Sequence, residues 1–308
     1  MYSLFVNVNA LIRIPLFPLL DGLRVYKKHG LSKAFNWFLI RLLVPFGISQ
    51  KRKIRETGII GRLFNFALAL LPPRTQSEVA ELVDHFLRQK SHADSTVYRT
   101  VNEYFAYWRS RSILRPTGLQ ATGQANCPLS RISRDPAITA LVSEYLGIPV
   151  ERIRAQVTID ALIRVAGKSV QIDGYDGAVE FHRDIDCWNW IKVFVYLTDT
   201  SEGDGHHEMF QASHLRTPIR LIPIRRYDRA EIISAMPELE LTKVCGPAGF
   251  TFIENTFAFH RGTAPWKSDR LMLTMTYYDE SYPVWLYGDH TYLLGKPVDD
   301  NILTGQNS

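Results

Sequence analysis

Residues 178–184, Ala-Val-Glu-Phe-His-Arg-Asp, have the pattern of a β-strand that carries two metal-binding side chains. Successive side chains of a strand point to opposite faces, so His182 and Asp184 share one face while Arg183 points away. Imidazole nitrogen and carboxylate oxygen suit Fe(II) or Mn(II), whereas thiolates would favour zinc or an iron–sulfur centre. The spacing therefore predicts two adjacent ligands of a metal site whose third ligand comes from another strand.

The candidate for the third ligand is His260, in Phe257-Ala-Phe-His-Arg-Gly262. It lies far enough beyond His182 to leave room for several strands of about 5–6 residues each. His214 is the competing candidate, but it follows His182 too closely for a barrel whose first and last ligands lie on distant strands. A second His-x-Asp pair, His92-Ala-Asp94, lies in a polar stretch and is interpreted as a solvated loop.

Ten residues past His260, Arg270 begins the alternating segment Arg270-Leu-Met-Leu-Thr-Met-Thr-Tyr-Tyr278. In a strand, Arg270 would share its face with Met272 and Thr274. An arginine at the start of such a strand can enter a cavity and bind a carboxylate through two parallel hydrogen bonds. The alternative is a strand-end arginine that extends to solvent.

Period-two patterns dominate from residue 152 onward and predict a sandwich or barrel of short strands. The patterned segments are Ile153–Ile159, Val170–Ile172, Val193–Leu197 and Phe250–Ile253. Helices are predicted before them. Their signals are a capping box at Thr75-Gln-Ser-Glu78 opening a helix to Arg88, a helical segment at 97–108, and a helix from Asp135-Pro136 to Gly147.

In combination, these segments resemble the phytanoyl-CoA dioxygenase (PhyH-like) family of Fe(II)/2-oxoglutarate oxygenases over roughly residues 95–285. The resemblance is carried by His182-Arg-Asp184, Trp190-Ile-Lys-Val-Phe-Val-Tyr-Leu-Thr-Asp199, Met209-Phe-Gln-Ala-Ser-His214, Pro247-Ala-Gly249, and His260 with Arg270. It implies a double-stranded β-helix, a jelly-roll, cupin-like core, so the expected fold class is mainly β with a helical N-terminal part.

The same resemblance implies a chemistry. It assigns as Fe(II) ligands His182, Asp184 and His260. Arg270 would bind the distal carboxylate of the co-substrate 2-oxoglutarate, and O2 would be the second co-substrate. Thr263 and Gln171 are candidates for further contacts with 2-oxoglutarate, and Trp188 is a candidate for the substrate pocket.

The expected activity is a dioxygenase, most simply a hydroxylase, that acts on a small molecule, lipid or glycan and releases succinate and CO2. The chain departs from the family's usual Pro-Gly-Ser-His turn, since Gln211-Ala-Ser-His214 stands there. Asp184 is present, so the chain does not resemble the halogenase members, in which a small residue makes room for halide. Two alternatives remain open. One is a catalytically inactive metal-binding β-barrel that acts as a membrane-surface adaptor, and the other is a cupin-type isomerase that would not need Arg270.

Charge is concentrated at the N-terminal end. Residues 1–75 contain 12 Lys and Arg but only Asp21 and Glu56 as acids, in a chain whose net charge is +5. This region is also rich in apolar residues, which favours either a helical layer packed on the barrel or a membrane-surface element. Nucleic acid is not expected as a partner. No apolar run reaches the roughly 20 residues that cross a bilayer.

The expected organisation has three parts: a basic, apolar helical region at 1–75, an oxygenase domain at 76–285 with its β-helix core at about 150–285, and a tail at 286–308. A hydrophobic content of 46% and a charged content of 22% are typical of a folded enzyme rather than a disordered chain. Three cysteines without a close pair indicate reduced thiols. The expected location is therefore cytoplasmic, with peripheral contact to the inner face of a membrane as one option. The segment His206-His-Glu208 is predicted to be part of a hairpin turn.

Overall fold

The computed structural model describes residues 62–63, 65–88, 98–113, 115–116, 119–120, 127–164, 179–184, 189–215, 217–222, 226–279 and 292–294. The strands are β1 (Leu68–Leu71), β2 (Leu119–Gln120), β3 (Ile153–Leu162), β4 (Trp190–Tyr196), β5 (His207–Phe210), β6 (Leu241–Val244), β7 (Thr251–Glu254), β8 (His260–Gly262), β9 (Arg270–Asp279) and β10 (Tyr292–Leu293). The helices are α1 (Gln76–Arg88), α2 (Val101–Ser110), α3 (Pro128–Ser133), α4 (Pro136–Leu146) and α5 (Arg229–Ala235).

The helices that precede the barrel begin and end at the caps that the sequence predicts. At the start of α1 the Glu78 amide donates to Thr75 Oγ1 (3.2 Å), and the Thr75 amide donates to Glu78 Oε2 (2.8 Å). At the start of α4 the Asp135 carboxylate accepts from two backbone amides. Helix α4 ends at Gly147, whose φ of 66° is left-handed. Helix α2 begins at Val101 rather than 97, because Thr100 caps it by accepting from the Glu103 amide (3.1 Å).

The larger sheet has the strand order β1-β7-β4-β9-β3-β10, with β2 also paired to β3. Its centre is the ten-residue antiparallel pairing of β3 with β9. Along β9, Leu271, Leu273, Met275 and Tyr277 pack outward into one apolar cluster with helices α1, α2, α3 and α4. Arg270, Met272, Thr274 and Thr276 alternate with them and so face the interior. The helical layer thus covers one face of the sheet, and the other face is left for the site.

The smaller sheet has the order β6-β5-β8, and residue His182 extends it by a bridge to His260. Along the chain, β3, β4, β7 and β9 lie in the larger sheet. The segment at 181–182 and strands β5, β6 and β8 lie in the smaller one. This interleaving of two antiparallel sheets is a double-stranded β-helix, and the predicted fold class is confirmed.

Two terminal segments join the larger sheet. Residues 68–71 lie in the region expected to be helical, but they form β1, which pairs with β7 from Leu68↔Glu254 to Leu71↔Thr251. Pairing with an available sheet edge overrides the local apolar pattern, and Ala67 turns the chain into the strand with a φ of 66°. In the C-terminal tail, β10 pairs with β3.

The remaining predictions on the termini lie outside the described residues, which leave out 1–61 and most of 286–308. The predicted strand Val170–Ile172 and the His92–Asp94 loop lie outside them as well. Within the described part of the chain, no helix is long and apolar enough to cross a membrane.

Candidate metal centre

Backbone pairing brings the three predicted ligands together. His182 and His260 form a bridge in which each amide donates to the other's carbonyl at 3.0 Å. Asp184 follows His182 by two residues, and its amide donates to Thr256 O at 2.9 Å. The two strand segments are therefore held side by side, with all three side chains on the inner face.

Among the described residues, the side chains of His182, Asp184 and His260 form the group that could hold a metal ion. One ligand atom from each lies within 4.8 Å of the others. Nε2 of His182 is 3.9 Å from Asp184 Oδ1, and Nε2 of His260 is 3.5 Å from Asp184 Oδ2. A metal with bonds of about 2.0–2.2 Å can bridge atoms at such separations after small shifts. The residues therefore fit a metal held by two histidines and one carboxylate.

Both imidazole rings are oriented for metal binding. Nδ1 of His182 lies 2.8 Å from Glu180 O, and Nδ1 of His260 lies 3.0 Å from Ala258 O. A carbonyl can only accept, so each Nδ1 carries the proton and each Nε2 presents its lone pair to the interior. The two rings receive this orientation from the carbonyls two residues before them in the chain.

The protonation states suit a cation as well. Burial lowers the pKa of His182 and of His260, which favours the neutral imidazole that ligates metals. Burial raises the pKa of Asp184, but the charge and hydrogen bond of Lys192 act in the opposite direction and the net shift is downward, so the carboxyl stays ionised. Two neutral nitrogens and one anionic oxygen are the donor set of the iron(II) facial triad.

The Arg270 side chain lies inside the barrel. It is buried, one guanidinium nitrogen donates to Gly205 O, and Nε has no hydrogen-bond partner among the described residues. No carboxylate of those residues forms an ion pair with it. Burial lowers the pKa of Arg270 to about 10, so the group remains charged at neutral pH. A buried charge of this kind is costly unless it is paired, so the geometry calls for an anionic ligand.

The path from the triad to Arg270 is short. An atom at the Cβ position of Gly262 would lie 3.3 Å from Arg270 Nη2, so the missing side chain makes room for the guanidinium. Gly262 lies two residues past His260, a step of about 7 Å along a strand. The Arg270 guanidinium thus lies about one strand step from the candidate ligand His260.

The other predicted contacts are placed differently. The Thr263 hydroxyl is 3.0 Å from His206 Nδ1 and 3.1 Å from His206 O, so it is engaged at the edge of the barrel. Its contact with 2-oxoglutarate stays a prediction. Gln171 and Trp188 lie outside the described residues. His214, the competing ligand, is in a turn and does not join the metal-binding group.

The prediction of a turn at His206-His-Glu208 is wrong. The turn is at 202–205, and the next residues form β5, all of them buried. His207 points inward, with Nε2 2.6 Å from Oε2 of the fully buried Glu254 on β7. The ring of His207 also stacks on that of His260, with centroids 5.6 Å apart. The segment predicted to be a turn therefore leads into a buried strand that places His207 beside His260.

Lys192 is a second residue beside the candidate ligands that the sequence pattern did not lead us to predict. It lies on the inner face of β4, with Nζ 2.6 Å from Asp184 Oδ2. The signal was present in the alternation of Lys192 with Phe194 and Tyr196, which places a charge on an otherwise aromatic face. Glu254 gives the same signal beside Phe252. Charged residues in phase with buried aromatic residues mark the interior of this barrel.

The double-stranded β-helix places this chain in the class of cupin-like barrels, and two histidines and one aspartate on its inner face could hold a metal ion. No protein-family model and no curated protein matches the chain. Solved structures with similarity include the epimerase SnoN from nogalamycin biosynthesis, in complex with Fe3+, alpha ketoglutarate and nogalamycin RO, at 17% identity and a TM-score of 0.48, covering 81% of this chain and 91% of that one.

Two further structures are similar at the same level. EctD from S. alaskensis, with 2-oxoglutarate and 5-hydroxyectoine, has 14% identity and a TM-score of 0.48, covering 77% of this chain and 82% of that one. The alpha ketoglutarate dependent carbocyclase SnoK has 13% identity and a TM-score of 0.48, covering 75% and 93%. At such low sequence identity, the assignment of the fold and of the candidate site rests on this chain's own strand order and residues. The PhyH-like resemblance stays a prediction.

Proposed function

We propose that this protein is an Fe(II)/2-oxoglutarate-dependent oxygenase. The observation that carries the proposal is the buried Arg270 guanidinium, which has no carboxylate partner among the described residues and lies one strand step beyond the ligand His260. A simple metal-binding barrel has no need for a buried positive charge at this place. A dicarboxylate that reaches from the metal to Arg270 would satisfy both groups.

The chain's own residues would share the work as follows. His182, Asp184 and His260 would hold the iron, and Arg270 would orient the co-substrate by its distal carboxylate. When bound, ferrous iron supplies the activation of O2 that couples decarboxylation of 2-oxoglutarate to oxidation of a substrate. The apolar inner face would exclude water from the reacting groups.

The ion pairs inside the barrel support an anionic ligand for Arg270. Lys192 pairs with Asp184 at 2.6 Å, and Arg115 pairs with Asp160 at 3.4 Å. No carboxylate among the described residues forms an ion pair with Arg270, so a carboxylate of 2-oxoglutarate would balance its buried charge.

The proposal is tested by anaerobic titration of the Fe(II)-loaded protein with 2-oxoglutarate, followed through the visible metal-to-ligand charge-transfer band. We expect the band in the wild type and its loss or strong weakening in Arg270→Leu. Arg74→Leu is the matched control, because the Arg74 side chain is only 12% exposed and pairs with Asp135 at 2.6 Å, in the helical layer. It should lower stability but keep the band.

The outcomes also separate the alternatives. Iron binding without the band in the wild type would overturn the co-substrate assignment and favour a cupin-type isomerase. Binding of both ligands without succinate release during an extended substrate screen would favour the inactive adaptor. The screen should include small molecules, lipids and glycans, and hydroxylation is the outcome that we propose for the productive substrate.

The basic N-terminal region calls for its own experiment. Sedimentation with anionic phospholipid vesicles at low and high salt compares the wild type with the charge-reversal variant Lys51→Glu/Arg52→Glu/Lys53→Glu. Salt-sensitive binding that the variant loses would support a peripheral membrane contact. Equal absence of binding would support a helical layer whose basic face lies in water.

A further inference from the structure

Lys192 lies at the level of the metal ligands, inside the barrel. Its Nζ is 2.6 Å from Oδ2 of Asp184, and its strand continues on the same face with the buried rings of Phe194 and Tyr196. The Lys192 side chain is only 21% exposed, so its ammonium loses solvation free energy that a surface lysine keeps. Because Lys192 directly contacts the candidate metal ligand Asp184, we link this loss of solvation free energy to the metal site.

The neighbouring carboxylate does not compete for Lys192. Lys192 lies directly opposite Glu254 in the β4–β7 pairing, so their Cβ atoms are only about 4.5–5.5 Å apart. Glu254, however, lies with Oε2 2.6 Å from Nε2 of His207. The ammonium of Lys192 is therefore directed to Asp184, while Glu254 lies beside His207. His260 lies between the two carboxylates, 3.5 Å from Asp184 and 3.8 Å from Glu254.

We propose that Lys192 is a positioning residue that holds one oxygen of Asp184, so that this ligand offers a single oxygen to the metal. The inference rests on the proposed function. Because the ammonium holds Oδ2, which also lies 3.5 Å from Nε2 of His260, Oδ1 would be the oxygen that binds the metal; it lies 3.9 Å from Nε2 of His182. An aspartate that bound through both oxygens would take an additional coordination position, which the co-substrate needs.

If Lys192 has this role, its removal should change the affinities for the metal and for 2-oxoglutarate in opposite directions. The charge of Lys192 repels a divalent cation beside Asp184, so its removal should strengthen metal binding. The same charge attracts a dianion, and the single-oxygen geometry keeps room for it, so removal should weaken 2-oxoglutarate binding. A general structural defect would instead weaken both.

The experiment measures both affinities in Lys192→Met, which keeps the length of the side chain and loses the charge. Mn(II) affinity is measured by calorimetry, and 2-oxoglutarate affinity by the charge-transfer band of the anaerobic Fe(II) protein. We expect Mn(II) to bind about tenfold more tightly and 2-oxoglutarate about tenfold more weakly, because the charge of Lys192 repels the cation and attracts the dianion. Lys192→Arg keeps the charge and should restore both values toward wild type, and Lys192→Gln provides a second neutral variant.

Lys243→Met is the matched control. Lys243 forms an ion pair of similar length, 2.7 Å to Glu202, but at an exposed position on the smaller sheet. It should change neither affinity. Parallel weakening of both ligands in the neutral variants, or no change in either, would overturn the role of Lys192 while leaving the proposed function intact. A wild-type protein that binds Fe(II) but not 2-oxoglutarate would overturn the proposed function itself.

Discussion

Replacement of Gly262 by valine should weaken 2-oxoglutarate binding and leave the metal site intact. An atom at the Cβ position would lie 3.3 Å from Arg270 Nη2 and 3.2 Å from Leu162 Cδ1. Both distances are shorter than the roughly 3.5–4.0 Å of an optimal contact. Alanine needs shifts of a few tenths of an ångström, but the two branched methyl groups of valine extend further into the same space. The Arg270 guanidinium must then move away from its present position beside Gly262.

The magnitude follows from the bond that is lost. If the displaced guanidinium keeps one of two charge-assisted hydrogen bonds to the distal carboxylate, binding loses about 1.5–3 kcal/mol. That loss corresponds to roughly 10- to 150-fold in the dissociation constant of 2-oxoglutarate. Gly262→Ala should show a smaller effect of the same sign. The assay is anaerobic titration of the Fe(II) protein by the charge-transfer band, with Mn(II) affinity measured in parallel.

Pyruvate provides the internal control, because it has the 2-oxo acid group but no distal carboxylate. Its affinity should be the same in the wild type and in Gly262→Val. Overpacking costs about 1–3 kcal/mol of folding stability, so circular dichroism must show a folded variant. Unchanged 2-oxoglutarate affinity in that folded variant, or an equal loss for pyruvate, would refute the placement of the distal carboxylate at Arg270.

Three other changes have defined outcomes. Asp184→Ala should abolish Fe(II) binding and coupled succinate release, checked by metal content; full activity with metal bound would contradict the ligand assignment. Burial raises the pKa of Glu208, but hydrogen bonds from His206 and Arg261 lower it to about 2. Stability from this group is therefore present above its ordinary pKa of 4.5 and is lost as pH falls toward 2. Denaturant titrations at several pH values should show that Glu208→Gln loses up to about 3 kcal/mol of this pH-dependent unfolding free energy. An unaltered pH profile would contradict the hydrogen bonds of Glu208 with His206 and Arg261. Gly203→Ala should cost about 1–2 kcal/mol or more of unfolding free energy, because φ is +93° and the new Cβ would lie 2.6 Å from the Trp266 ring; equal denaturation midpoints would contradict this packing.

Local chemistry explains why part of the site was predictable. The two-residue spacing of His182 and Asp184 in a strand pattern identifies them as candidate ligands without knowledge of the rest of the fold. His260 and Arg270 could be added because each begins or interrupts a strand-like segment. The helix caps at Thr75 and Asp135 are equally local, since cap and amide lie within three residues of each other.

The remainder of the site depends on pairing between distant strands. Glu254 meets His207 across the two sheets, and Lys192 meets Glu254 only through the β4–β7 register. A shift of one residue in either pairing would turn these side chains to the opposite face. The same dependence explains β1, because Leu68–Leu71 becomes a strand only where the edge of β7 is available. No window of sequence around these residues contains that information.

The distance between the metal ligands and Arg270 depends on which sheet is followed. Along the larger sheet, Lys192, Thr276 and Glu254 form one row at the level of the metal ligands, and two further rows separate it from Arg270 at the start of β9. The guanidinium of Arg270 nevertheless lies next to Gly262 of the smaller sheet, two residues past His260. A ligand bound at both places therefore needs a metal-binding head and an anionic tail about one two-residue strand step, roughly 7 Å, apart. The proposed co-substrate 2-oxoglutarate, a keto acid with a second carboxylate, combines these properties.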